Sequence, residues 1–260
     1  MNVAIRIPRE HGLIVVWINT FLLSLLLSSQ HFSYGIITFI IFLSTFIVYD
    51  PMLMALRARK NGRSWMALLN RNFPYVIPIL FFITGWIVFM AVIRIMPIYP
   101  LMILALVFPG YLISFWRGER SVIAQILSIT TLTSLYLILV SSMTGSFSAA
   151  EVTTFLIITG LEIVIGSGPS AIMDSRIFHV SFWKSYVSRV MPIYLSVSVL
   201  IAILLIQHPA RLMISIILAS MFALSFPLMR SMPIKKIGAL ASAYNLLILV
   251  AVSFMYFGSA

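Results

Sequence analysis

Three carboxylic acids stand in stretches of sequence that are otherwise apolar: Asp50, Glu162 and Asp174. A carboxylate at membrane depth is costly, and where one persists it usually serves ion or proton movement, ligand binding or ion pairing. These three residues are therefore the candidates for catalytic chemistry.

Two of these acids have cations near them in the sequence. Asp50 lies about two helical turns before Arg57, so pairing with Arg57 or with Arg117 is an alternative to a functional role. Asp174 lies two residues before Arg176, and it could equally be an ordinary solvated loop residue.

Glu162 has no Lys or Arg near it in the sequence. It is therefore either protonated or directed into a polar cavity, and a functional or cavity-lining role is the stronger hypothesis. Asn19, Gln125 and Asn245 are expected to form hydrogen bonds between helices, although they could also line a cavity.

Other familiar kinds of site are not indicated. His31, His179 and His208 lie in separate connections with no spacing suited to a metal or a haem. Glu10 and His11 are typical of a polar pair at a helix start. The chain has no cysteine, which excludes disulfides and thiolate metal sites.

The elements that must position these residues are membrane helices. Of the 260 residues 62% are hydrophobic and 9% charged, and the mean hydropathy is +1.11. Apolar runs of about 20 residues, the length that spans a bilayer, recur along the chain. We therefore predict an all-α fold, a single polytopic helical bundle over 1–260, with nine spans at 12–29, 34–57, 74–96, 99–116, 121–143, 150–173, 186–206, 211–229 and 237–257.

The basic residues support this count. The chain carries 17 Lys and Arg against 6 Asp and Glu, for a net charge of +11. With the N-terminus inside, nine spans put 15 of the 17 on one side and leave only Arg94 and Arg211 on the other. Because cytoplasmic loops concentrate Lys and Arg, this favours a multi-pass cell-membrane protein with a cytoplasmic N-terminus and an external C-terminus. It also makes nucleic acid an improbable partner.

Short motifs spread over most of the chain resemble a known group of proteins. They are residues 8–12 (PREHG), 50–57 (DPMLMALR), 117–120 (RGER) and 235–238 (KKIG). Together with nine predicted helices and large basic loops after the second and sixth, they resemble the YwiC-like family of membrane proteins. The architecture resembles that of the UbiA superfamily of intramembrane prenyltransferases.

The resemblance implies a site at the inner ends of helices two and six, where such enzymes use Asp-rich motifs to hold Mg²⁺ and an isoprenoid pyrophosphate. Asp50 and Asp174 fall at the two places, which makes them the candidate metal ligands. The pattern departs from the family where further acids are expected, at Leu53, Arg57 and Ser170. The usual magnesium motifs are thus largely lost.

These features lead to three hypotheses. The first is a UbiA-like or YwiC-like protein whose basic cytoplasmic pocket binds an isoprenoid or lipid (pyro)phosphate without the usual metals, since charge-assisted donors suit phosphate. The predicted phosphate-binding residues are Arg57, Arg59, Lys60, Arg63, Arg117, Arg120, Arg176 and Lys184. The second is an active prenyltransferase with a depleted metal site. The third is a transporter, with Glu162 as coupling group, or an accessory subunit of a membrane complex.

Overall fold

The structure is a computed structural model, and it describes residues 11–27, 31–44, 62, 66–93, 97–118, 121–145 and 148–257. Within these ranges 91% of the residues are helical and none forms a strand. The described helices are α1 (His11–Leu27), α2 (Phe32–Ser44), α3 (Met66–Val92), α4 (Ile98–Gly118), α5 (Val122–Thr144), α6 (Ala149–Ile177), α7 (Phe182–Leu205), α8 (Pro209–Met229) and α9 (Ile234–Phe257).

Five of these helices, α5 to α9, are long and apolar enough to cross a membrane. Large apolar side chains also cover the outside of the bundle: Phe81, Leu106 and Leu228 are 77%, 76% and 76% exposed. Aqueous surroundings would penalise such a surface, whereas lipid tails would not. The prediction of an all-α membrane protein is therefore confirmed. Nine crossings stay a prediction.

Local sequence explains where two of the spanning helices begin and end. Ser148 and Glu151 form a reciprocal capping box at the start of α6, with the Glu151 Oε2 atom 2.7 Å from the Ser148 backbone nitrogen. Gly145 ends α5 in the left-handed conformation, with φ of 68°. Glycine adopts that conformation without a steric penalty, so the chain can turn sharply between α5 and α6.

Helix α6 is the centre of the bundle and packs against α5, α7, α8 and α9. Helix α1 packs against both α5 and α9, so α1, α5, α6 and α9 form a closed ring of four helices. The largest cluster of buried apolar residues joins these helices to α7 and α8, with Leu23, Leu161, Phe222 and Ile248 among its members. Because α6 has neighbours on several sides, much of its circumference is buried and apolar.

Helix α6 continues without interruption through Gly166 and Pro169 and ends at Ile177. A side chain at position 168 would overlap the ring of Phe226 in α8. Gly168 therefore permits the close approach of α8, and Pro169 is accommodated inside the helix as it often is in membrane proteins.

Candidate functional site

Asp174 lies in the last turn of α6, and it is buried, at 4% exposure. It forms an ion pair with Arg189 of α7. The alternative of a solvated loop residue is thus wrong, and the partner is a cation that the sequence analysis did not connect with it.

Arg189 belongs to a π-helical turn, Tyr186–Val190, within α7. At its end the Met191 N–H donates to the carbonyl of Tyr186, five residues back. One extra residue in the turn changes the direction of the side chains before and after it, and such turns often occur at functional sites. This π-helical turn places Arg189 next to Asp174.

Arg176 ties the end of α6 to the connection between α8 and α9. Its Nη2 atom donates to the carbonyl oxygens of Arg230, at 2.7 Å, and Met232, at 2.6 Å. Carbonyls after the end of a helix need such partners, because no further turn supplies them. Arg176 was predicted to bind phosphate, and this nitrogen is instead occupied by the backbone.

Aromatic rings complete this end of the bundle. The rings of Phe182 and Tyr186 lie 5.5 and 5.9 Å from that of Trp183, between centroids. The guanidinium of Arg230 lies 5.9 Å from the centroid of Trp183, within cation–π range. The Tyr186 hydroxyl donates to the carbonyl of Ala223, at 3.0 Å, which links α7 to α8. Trp183 itself is 51% exposed.

We call this region the basic end. It is defined by six cationic residues at one end of α6, α7, α8 and α9, where Asp174 is the carboxylate among the described residues. The six are Arg176, Lys184, Arg189, Arg230, Lys235 and Lys236. Lys184, Arg230, Lys235 and Lys236 are exposed, so four positive charges remain accessible to an anion.

The basic end as described does not form a magnesium site. Its one carboxylate, Asp174, is already engaged by Arg189. No group of three His, Cys, Asp or Glu side chains comes together among the described residues. Two Mg²⁺ ions holding a pyrophosphate would need several carboxylates, which the described residues of the basic end do not supply.

The remaining predicted residues of this site cannot be placed against it. Asp50, the other candidate metal ligand, lies outside the described residues, so its position relative to Asp174 stays a prediction. The same holds for Arg57, Arg59, Lys60, Arg63 and Arg120. Arg117 lies in the last turn of α4, and its side chain also falls outside the described part.

A second group of polar residues lies in the middle of the bundle. Glu162 is buried at 3% exposure, and the side-chain amide of Asn245 in α9 lies 2.9 Å from its Oε2 atom. With the amide nitrogen facing Glu162, Asn245 donates to this carboxyl group and to the carbonyl of Ala241, at 3.2 Å. The prediction of an interhelical hydrogen bond from Asn245 is thereby confirmed.

Further polar groups lie near the middle of the neighbouring helices. One turn before Glu162, the hydroxyl of Thr159 lies 2.7 Å from that of Thr133 in α5. Asn19 stands at the middle of α1 and is 2% exposed. We call Asn19, Thr133, Thr159, Glu162 and Asn245 the mid-bundle polar layer.

Sequence reasoning missed Arg189, Arg230, Lys235 and Lys236 as parts of the basic end, although it placed all four on the cytoplasmic side. A usable signal was present for Arg189. It and Asp174 flank the short connection between α6 and α7, and helices joined by so few residues pack side by side.

No protein-family model, curated protein or solved structure matches this chain.

Proposed function

We propose that this membrane protein binds the phosphate or pyrophosphate headgroup of an isoprenoid or another lipid at the basic end. The observation that carries the proposal is the group of four exposed cations at the end of the bundle where the one described carboxylate, Asp174, is buried and paired with Arg189. The cytoplasmic location of this end is part of the proposal, and it follows from the bias of Lys and Arg towards that side.

Charge supports an anionic ligand. Lys184 stands at the start of α7, Arg230 at the end of α8, and Lys235 and Lys236 in the first turn of α9. All four are exposed, and none forms an ion pair with an acid among the described residues. Charge-assisted hydrogen bonds from such groups to phosphate oxygens are about twice as strong as neutral ones.

The surface beside these cations suits the hydrocarbon part of the ligand. Val187 follows Lys184 by one turn and is 61% exposed, while Leu224 and Leu228 precede Arg230 and are 67% and 76% exposed. A lipid whose headgroup meets the cations would thus lay its chain against apolar side chains of α7 and α8. Its phosphate would sit beside the ring of Trp183, as is common at membrane interfaces.

The proposal requires binding and no catalysis. Prenyl transfer through Asp-held Mg²⁺ finds no support in the described residues, since Asp174 pairs with Arg189. Membership of the YwiC-like family and a UbiA-like arrangement of nine spans stay predictions.

Thermal unfolding of the purified protein tests the proposal. We expect geranylgeranyl pyrophosphate to raise the unfolding temperature in a saturable way, because a ligand that binds only the folded state stabilises it. Geranylgeraniol, which has the same chain and no phosphate, should give little shift.

A pair of variants locates the site. Lys235→Ala/Lys236→Ala should weaken binding about tenfold, a loss of about 1.4 kcal/mol. The control Lys235→Arg/Lys236→Arg keeps both charges and should bind as the wild type does. Equal stabilisation by the alcohol and the pyrophosphate, or no stabilisation at saturating pyrophosphate, would refute the proposal.

A further inference from the structure

The mid-bundle polar layer is built by the four helices that form the closed ring. Asn19 comes from α1, Thr133 from α5, Thr159 and Glu162 from α6, and Asn245 from α9. Each helix contributes its polar side chain near the middle of its length, where a membrane protein places such groups only at a cost. Four neighbouring helices thus each carry a polar side chain near mid-length.

Glu162 is the one formal acid in this layer. Every other Asp, Glu, Lys, Arg or His of the described helices lies within about eight residues of a helix end, which is nearer the surface than the centre of a span. The described residues thus place no cationic side chain at the depth of Glu162. A carboxylate there needs a positive charge from elsewhere, or it must stay neutral.

Asn19 supplies an independent observation. Both polar atoms of its amide, Oδ1 and Nδ2, are buried and have no hydrogen-bond partner among the described residues. Asn19 lies on the same face of α1 as Leu23, one turn later, and Leu23 packs in the cluster that includes residues of α5, α6 and α9. Buried unpaired amides are rare because each costs free energy, and a bound ion would remove that cost.

The Asn245 amide can serve such an ion directly. With its nitrogen towards Glu162 it makes two hydrogen bonds. After half a turn about its last bond, its oxygen would face both Glu162 Oε2 and the carbonyl of Ala241, at the same 2.9 and 3.2 Å. Three oxygen atoms would then converge on one place, an arrangement that repels unless a cation, or the proton of a neutral Glu162, lies between them.

We propose that the mid-bundle polar layer is a binding site for a monovalent cation of the Na⁺ class, with Glu162 as its anionic ligand. The Asn19 and Asn245 amide oxygens and the Ala241 carbonyl supply neutral oxygen ligands. One carboxylate balances one positive charge, so the site suits a monovalent ion better than a divalent one. Membrane transporters bind coupling ions at a comparable depth, between packed helices.

Binding of ²²Na⁺ to the purified protein tests the proposal by scintillation proximity. The wild type should bind Na⁺ saturably, and Glu162→Gln should lose this binding. Glu151→Gln is the matched control, because it makes the same change on the same helix but at the capping box, where glutamine also serves. This control should bind Na⁺ as the wild type does.

A second variant covers the case in which Glu162→Gln fails to fold. Asn19→Leu removes the unpaired amide and keeps a similar volume, so without Na⁺ it should unfold at the wild-type temperature or above. Its affinity for Na⁺ should nevertheless fall about tenfold, the effect of losing one strong ligand. Loss of a ligand and gain of stability in one variant would not arise from a merely structural residue.

Two results would overturn the proposal. One is absence of saturable Na⁺ binding by the folded wild type, together with an infrared carboxylic-acid band that Na⁺ does not change. Glu162 would then be a neutral structural acid. The other is equal Na⁺ binding by the wild type and the Asn19→Leu variant. Neither result bears on the phosphate site, which lies at the end of the bundle.

Discussion

Replacing Arg189 by methionine would leave the Asp174 carboxylate buried without its cation. The side chain of Asp174 is 6% exposed and that of Arg189 is 30% exposed, so the two single variants should differ in cost. Breaking a buried ion pair by removing one partner costs about 3–5 kcal/mol. We expect about 3 kcal/mol for Arg189→Met, the low end of that range, because the pair lies at the edge of the bundle.

The reverse change should cost less. In Asp174→Asn the guanidinium left behind is nearly one third exposed and can be hydrated, so we expect about 1 kcal/mol. The double variant Asp174→Asn/Arg189→Met should also lose about 1 kcal/mol, because it leaves no buried carboxylate without its cation. The coupling energy between the two residues would be about 3 kcal/mol.

Reversible unfolding by SDS in mixed micelles, followed by circular dichroism, gives the four free energies of unfolding. Mg²⁺ should change none of them, since Asp174 is held by Arg189. The reasoning would be refuted if Arg189→Met cost no more than Asp174→Asn, or if the coupling energy were close to zero. Stabilisation of the wild type by Mg²⁺ that Asp174→Asn abolishes would instead restore Asp174 as a metal ligand.

Two further predictions concern how α6 packs. Gly168→Ala should destabilise the protein by about 1–3 kcal/mol, because the added methyl group overlaps Phe226 and the core must shift. The change Gly85→Ala in α3, which meets nothing within 4 Å, is the control, and equal unfolding temperatures for the two variants would contradict the explanation. Thr133→Val should cost about 0.6 kcal/mol, the average for a hydrogen bond between membrane helices, because the hydroxyl of Thr159 loses its partner at 2.7 Å. The measurement compares the free energies of unfolding of Thr133→Val and of Thr133→Ser, which keeps the hydroxyl. A loss of stability in Thr133→Val alone would assign the effect to the hydrogen bond, and a loss in both variants would assign it to packing.

Long apolar runs were enough to predict where the described helices lie, because lipid demands such runs whatever their tertiary contacts. The residues at which the helices begin and end were less predictable. The span expected over 186–206 begins at Phe182 in the structure, and helix α6 runs on to Ile177, since polar and aromatic residues at an interface extend a helix beyond its apolar stretch.

Contacts between residues of different helices were not predictable from apolar runs. Asn245 lies 83 positions after Glu162 in the chain, and only the packing of α9 on α6 brings the two together. Gly168 has a poor local propensity for helix. Its role depends on Phe226, in another helix, which no local pattern can reveal.

The five-residue turn in α7 also fixes how the remainder of that helix is rotated. If the same five residues formed an ordinary α-helix, everything after them would be turned by about 100°. Val197, Ile201 and Leu205, which now face the core, would turn partly towards lipid, and side chains that now lie beside them would take their place. Most of the side chains in this part of α7 are aliphatic, so the bilayer would tolerate either arrangement. The helix would therefore remain a sound membrane segment, yet it would present the wrong side to its neighbours, and this one wide turn thus aligns α7 with α6.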